Sequence, residues 1–210
     1  MIELKDCIPT IDELLRRGEQ KENGRPTSEA LTEMARFLDA CRYTDSNPDV
    51  YDAVLEYGAA ELEGKNNKGL FIRGACGIGK SYGVACLAAR FKWPVIAAKQ
   101  LQAAYLSAKS DDEFWRLVDA RDFFDRPQTI VIDDVGTEDC PIMKYGTATN
   151  LIADVLDRRY YQGFQREGVR TIVTCNLTDK QLQERYGLRI DDRMDEMFTF
   201  ATVTGKSLRK

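Results

Sequence analysis

Five short stretches of the chain carry apolar side chains at consecutive or alternate positions: GLFIR (69–73), WPVIAA (93–98), TIVIDD (129–134), VRTIVTCN (169–176) and FTFATVT (198–204). Runs of that length and pattern predict strands, buried on both faces where the apolar residues are continuous. Between them the apolar positions return every three or four residues, the spacing of one helical face. Val84, Leu87, Ala88 and Phe91 form such a stripe after the first strand. Two helices, near 101–107 and 112–120, follow the second strand, the latter carrying Phe114, Trp115, Leu117 and Val118. A helix over 150–164 turns Leu151, Ile152, Val155, Leu156 and Tyr160 inward and Arg158 and Arg159 outward; another covers 191–197. Strands joined by helical crossovers predict an α/β fold, a five-stranded parallel sheet flanked by helices.

Ahead of the first strand the pattern is helical. Thr10 and Glu13 make a capping box that opens a short helix with Ile11, Leu14 and Leu15 on one side. After a polar break at 22–26, a second helix over 28–42 aligns Leu31, Met34, Ala35 and Leu38. Asn47 then reads as an N-cap with Pro48 at the first helical position. That helix runs to about 63, with Tyr51, Val54, Leu55, Gly58 and Leu62 inward. The chain therefore divides into a helical N-terminal extension, 1–64, and an α/β domain, 65–210.

Charge sharpens that division. Residues 1–64 hold 7 Lys/Arg against 15 Asp/Glu, or −8, while 65–210 hold 23 against 19, or +4. An acidic arm suits protein docking better than nucleic acid, and the mildly basic remainder permits DNA contact. The six cysteines are scattered with no C-x-x-C pair, so reduced thiols are expected. No apolar run reaches the length of a membrane span and no signal peptide opens the chain, so a cytoplasmic location is expected. Histidine is absent altogether, which excludes Ser–His–Asp and Cys–His chemistry and histidine-bound zinc. Catalysis must come from carboxylates, lysine, arginine and a metal ion.

The octet GACGIGKS (74–81) matches G-x-x-x-x-G-K-[ST], the phosphate-binding P-loop, and it lies between a predicted strand and a predicted helix, as that motif requires. Gly74, Ala75, Cys76, Gly77, Ile78, Gly79, Lys80, Ser81 and the following Tyr82 are the expected nucleotide contacts. The glycines let backbone N–H groups converge on an anion, Lys80 reaches the β- and γ-phosphates, and the Ser81 hydroxyl ligates Mg²⁺. The strand TIVIDD ends in two acids, the first of them, Asp133, 53 positions after Lys80, the shape of a Walker B strand. Asp133 is expected at the Mg²⁺ hydration shell and Asp134 as the group that orients or deprotonates an attacking water. Asn176 ends the next strand, suited to bonding the γ-phosphate or that water. Its alternative role is to cap the helix opened by Thr178–Gln181.

The segments GACGIGKS, TIVIDDVGTE, TIVTCNLT and RYGLRIDDRMDEMF, in that order within 65–210, resemble AAA+ ATPases of the DnaC-type helicase loader and IstB-type transposase helper group. The resemblance implies a P-loop NTPase fold with the Asn176 strand between the P-loop and Asp133 strands, and no full helical lid domain, since 34 residues follow Asn176. It makes Lys80 and Ser81 Walker A, Asp133 and Asp134 Walker B, Asn176 sensor 1, and Arg193 an arginine finger for a neighbouring subunit, with Arg189 as understudy. Arg209 stands where a sensor 2 surrogate would be. For Arg193 the alternative is an ion pair with Asp191, Asp192 or Glu196. Asp134 replaces the more usual Glu, which shortens its reach, and Glu138 has no expected role.

By that resemblance the protein would bind and slowly hydrolyse Mg-ATP (to ADP) at a subunit interface and help place a hexameric replicative helicase on single-stranded DNA. The acidic N-terminal helices would dock the helicase. The alternatives are a transposition helper that binds double-stranded DNA and a transposase, an ATP-gated binding module with little turnover, and a small-molecule kinase.

Overall fold

A computed structural model describes residues 24–43, 47–205 and 207, the side chains of 188–191 excepted. Two helices, α1 (Ser28–Ala40) and α2 (Pro48–Leu62), precede β1 (Gly69–Gly74), α3 (Lys80–Phe91), β2 (Val95–Ala97), α4 (Ala98–Ser107), α5 (Asp111–Asp119) and β3 (Ile130–Val135). A hairpin of β4 (Ile142–Lys144) and β5 (Thr147–Thr149) leads to α6 (Leu151–Arg158), which continues as a π-helix, Arg159–Glu167. The chain then forms β6 (Thr171–Cys175), α7 (Asp179–Tyr186), α8 (Leu188–Met197) and β7 (Phe198–Val203).

The main sheet has five parallel strands in the order β2-β3-β6-β1-β7, so β6 lies between β1 and β3. This is the arrangement of a P-loop NTPase fold, with the strand that ends just before Asn176 beside both others. Successive side chains of a strand face opposite ways, and the core divides accordingly. Leu70, Ile72, Val131 and Ile172 meet α1, α2 and α3 on one face; Phe71, Ile130, Ile132 and Val173 meet α4, α5, α6 and α8 on the other. Both faces are covered, which is why β1, β3 and β6 read as unbroken apolar runs.

The N-terminal helices belong to this body. Met34 and Leu38 of α1 and Val50 and Val54 of α2 are fully buried in the same core as the sheet. The connection between them touches the glycine loop directly: the Tyr43 hydroxyl donates to Gly79 O at 3.1 Å and Asn47 N to Ile78 O at 3.3 Å. A Cβ on Gly83 of α3 would stand 2.3 Å from the Tyr43 hydroxyl, so glycine there is what admits the tyrosine. The boundary at 64/65 is thus not a break in packing: α1 and α2 turn their inward stripes onto the sheet's core. The buried stripe of α2 also includes Tyr57, Ala59 and Ala60, while Tyr51, Leu55 and Leu62 are only half-buried; the Tyr57 hydroxyl anchors that side by donating to Lys68 O at 3.0 Å. The helix expected near 10–15 lies outside the described residues.

Other expectations meet particular outcomes. Asn47 caps α2, accepting from Asp49 N at 3.0 Å, and Thr178 and Gln181 form the capping box of α7. The β4–β5 hairpin has no counterpart in the sequence reading. Its turn places Tyr145 and Gly146 at φ 50° and 83°, a pair of left-handed residues that the dipeptide Tyr-Gly signals only weakly. The described cysteines are free thiols, and no described helix is long and apolar enough to cross a membrane.

Arg159 corrects the amphipathic reading of α6. Arg158 is half-exposed and paired with Asp119, but Arg159 is 1% exposed. Its guanidinium donates to four carbonyls, Val118 O, Asp119 O, Gln128 O and Arg170 O at 2.9–3.4 Å, and to Thr171 Oγ1 at 3.0 Å. Those partners end α5 and enter β3 and β6; Arg170 O also accepts from Ile130 N at 3.4 Å, and the five-donor fork bonds all of them at once. Burial pushes the guanidinium down to about 10, so it remains charged at neutral pH. Arg159→Met should therefore cost about 3–5 kcal/mol of unfolding free energy through orphaned carbonyls, against less than about 1 kcal/mol for Arg158→Met. Denaturant titration of the two variants compares them.

Candidate nucleotide site

The site forms where β1 passes into α3. Gly77 and Gly79 sit at φ 79° and 99°, backbone that a residue with a Cβ adopts only under strain, and they turn the chain around a central point. Gly79 is the N-cap of α3 and offers no side chain to its first-turn N–H groups, which stay available to an anion at the positive end of the helix. Ile78 inserts fully into the core and pins the loop from beneath, so its side chain is not a nucleotide contact. Gly74 and Ala75 contribute carbonyls rather than cavity wall.

A cavity of about 460 Å³ opens over this loop, lined by Cys76, Gly77, Gly79, Lys80, Ser81, Tyr82, Asp134, Thr137 and Asn176. Lys80 is 4% exposed and donates to Gly74 O and Ala75 O at 2.8 Å and to Asn176 Oδ1 at 2.6 Å. Burial holds its ammonium below the usual lysine range, opposed by the nearby acidic groups, Asp134 and Asp133 among them. A desolvated ammonium surrounded by neutral oxygens favours an arriving phosphate.

Asp134 reaches the cavity because β3 departs from regular pairing there. The register against β6 shifts between Ile132 and Val135, and Asp134 itself lies at φ 54°. Such a bulge re-aims a side chain at the end of a strand. Asn176 Nδ2 stands 3.4 Å from Asp134 Oδ1 while its Oδ1 accepts from Lys80. Lysine, amide and carboxylate thus form one chain of contacts across three elements. Thr178, not Asn176, caps α7, which leaves the amide to the cavity.

Asp133 does not line the cavity. Its carboxylate accepts from the hydroxyl of Thr174, and that same Thr174 Oγ1 accepts from Asp134 N at 2.9 Å. One fully buried hydroxyl on β6 therefore fastens both acids. The sequence reading passed over Thr174, though a polar residue inside the apolar run TIVTC was its signal. It also missed Thr137, whose hydroxyl donates to Asp134 O at 2.7 Å. The Tyr82 ring borders the cavity, but its hydroxyl is committed to Cys41 O at 2.5 Å and its ring packs on Tyr43 with centroids 5.6 Å apart.

The oxygen donors suit magnesium. Among the described residues no group of three or more His, Cys, Asp and Glu gathers to hold a metal ion. The Ser81 hydroxyl and the Asp133 carboxylate are hard donors of the kind Mg²⁺ uses when substrate phosphates and water complete its shell. Ser81 lines the cavity and would ligate the ion, while Asp133, held by Thr174 behind the lining, would act on it only from the outer shell.

Arg193 is seated elsewhere within the chain. It pairs with Asp157 of α6, donates to the Tyr161 hydroxyl at 2.5 Å and lies over the Tyr161 ring at 4.6 Å. Its partner is therefore neither Asp192 nor Glu196; Glu196 instead accepts from the Tyr160 hydroxyl. The Arg189 side chain and Arg209 lie outside the described residues.

No family model matches the chain, and no curated protein matches it. Among solved structures, one concerned with DNA unwinding at forked duplex DNA by two coordinating Pif1 helicases is 15% identical with a TM-score of 0.41, over 76% of this chain and 43% of that one. The chain thus spans less than half the length of that helicase.

Replacing the ammonium tests the cavity. Lys80→Ala should weaken binding of a fluorescent ATP analogue by at least about tenfold, the worth of a charge-assisted bond. The melting temperature should not fall, since a desolvated charge is removed.

Proposed function

We propose that this chain is a Mg-dependent ATPase that acts as an accessory to DNA replication, loading a hexameric replicative helicase onto single-stranded DNA. The observation that carries the ATPase reading is the convergence of Lys80, Asn176 and Asp134 on one cavity above a glycine loop and a helix N-terminus. Lys80 exchanges its present acceptors for β- and γ-phosphate oxygens, and Asn176, released from Lys80, orients a water. Asp134 takes the proton as the water oxygen bonds to the γ-phosphorus and the bond to the bridging oxygen breaks, leaving ADP with that electron pair. Mg²⁺, when bound, neutralises charge on the phosphate oxygens. The loader reading draws on the resemblance of four segments to the DnaC-type group.

Arg193 acts across a subunit interface in this proposal, leaving Asp157 to reach a neighbour's γ-phosphate. A second reading has specific support: the short Asp134 carboxylate and the occupied seat of Arg193 favour a nucleotide-gated binding module with little turnover. If a transposase and duplex DNA are the partners instead, the site chemistry is unchanged. ATP hydrolysis measured across protein concentration separates shared-site catalysis from gating. The shared site predicts a rate per subunit that rises with concentration and falls roughly a hundredfold or more in Arg193→Ala. Mixing Arg193→Ala with Lys80→Ala should restore activity, because each supplies what the other lacks. A flat, negligible rate in wild type favours gating.

Docking is tested separately. A cut must stop before residue 24, since Met34, Leu38 and Tyr43 are core. The chain lacking 1–23 should bind ATP normally and fail to co-purify with the cognate helicase. Retained co-purification removes the docking role from that segment.

A further inference from the structure

Glu138 lies outside the cavity yet is among the most enclosed charges of the described chain, 3% exposed. Its Oε2 accepts from Gly136 N at 2.9 Å. Its Oε1 accepts from the Tyr186 hydroxyl at 2.6 Å and from Arg185 Nε and Nη2 at 3.1 Å each, and Arg185 also donates to Glu138 O. Arg185 is fixed in turn: its carbonyl accepts from Asn150 Nδ2 at 2.8 Å. Burial, then the neighbouring carboxylate, pushes the Tyr186 phenol up, so it stays a donor at neutral pH.

The two oxygens of this carboxylate therefore grip two different segments. Gly136 follows Asp134 by two residues and precedes Thr137, which holds Asp134 O. Arg185 and Tyr186 close α7, the helix that opens just after Asn176. The segments are in contact as well, since a Cβ on Gly136 would meet Leu177 at 2.6 Å. A carboxylate that served stability alone would need no such bracket, and a buried ion pair is a poor source of stability once desolvation is counted.

We propose that Glu138 is a positioning residue for hydrolysis, holding the loop after β3 against the segment after β6 so that Asp134 and Asn176 keep their mutual geometry. The inference rests on the reading that this cavity hydrolyses ATP. Glu138 does not line the cavity and acts through Gly136 and α7.

The test uses the full chain and three measurements on each variant: kcat for ATP, the dissociation constant of a fluorescent ATP analogue, and the melting temperature. Glu138→Gln should lower kcat roughly 10–100-fold, as loss of an outer support does, with nucleotide affinity changed by less than about threefold. Tyr186→Phe, which removes one donor and keeps the ring, should lower kcat in the same direction. The double variant Glu138→Leu/Arg185→Met replaces both partners by apolar groups and should regain melting temperature without regaining kcat. Recovery of kcat along with melting temperature, or affinity lost in step with kcat, overturns positioning in favour of a purely structural part. Full-rate hydrolysis by Glu138→Gln overturns it alone. Wild type that binds ATP and turns none over removes the hydrolytic reading and this inference with it.

Discussion

The site depends on keeping one ammonium ion away from water. Lys80 is enclosed by two carbonyls of its own loop and by the Asn176 amide. This arrangement exists only because β6 runs between β1 and β3. In any other strand order Asn176 and Asp134 would end at different places along the sheet edge. Parallel pairing brings three carboxyl ends to one side, and helix α3 then starts at the point where they meet. The cost of desolvating the charge is offset by those oxygens and by acids close behind them.

Second to that constraint is the way single polar side chains join elements that the sheet merely places side by side. Thr174 fixes two acids from the adjoining strand with one hydroxyl. Glu138 joins the loop after β3 to the end of α7. At the opposite end of the sheet Arg159 gathers the entry carbonyls of two strands and the exit of α5. Each is buried, and each has its bonding capacity largely used, the condition under which a buried polar group fixes a structure rather than weakening it.

How much was legible follows from where a residue's meaning resides. That Lys80, Ser81, Asp134 and Asn176 would be gathered at one cavity could be read from local pattern: a glycine spacing, or the last residue of an apolar run. The five strands were legible for the same reason. Thr174, Thr137 and Arg159 were not, since their partners lie 12 to 41 residues away or are defined by backbone turns. Arg159 was misassigned by helical periodicity itself, which counts an arginine as outward whatever carbonyls wait for it. Helices α1 and α2 were legible as helices with an inward apolar stripe; what net charge could not tell is that this stripe enters the same core as the sheet, because charge describes only their solvent face.

The contacts from Tyr43 and Asn47 to the backbone of Gly79 and Ile78 decide where the protein can be trimmed. Although the glycine loop, the acids and the Asn176 amide all lie beyond residue 68, a fragment begun there would strip the underside of its own glycine loop. Met34, Leu38, Val50 and Val54 would leave α3 facing solvent along an apolar strip. The smallest piece able to stand alone is therefore longer than the motif-bearing region by two helices, and expression of the motif region in isolation would report on exposed hydrophobic surface rather than on catalysis.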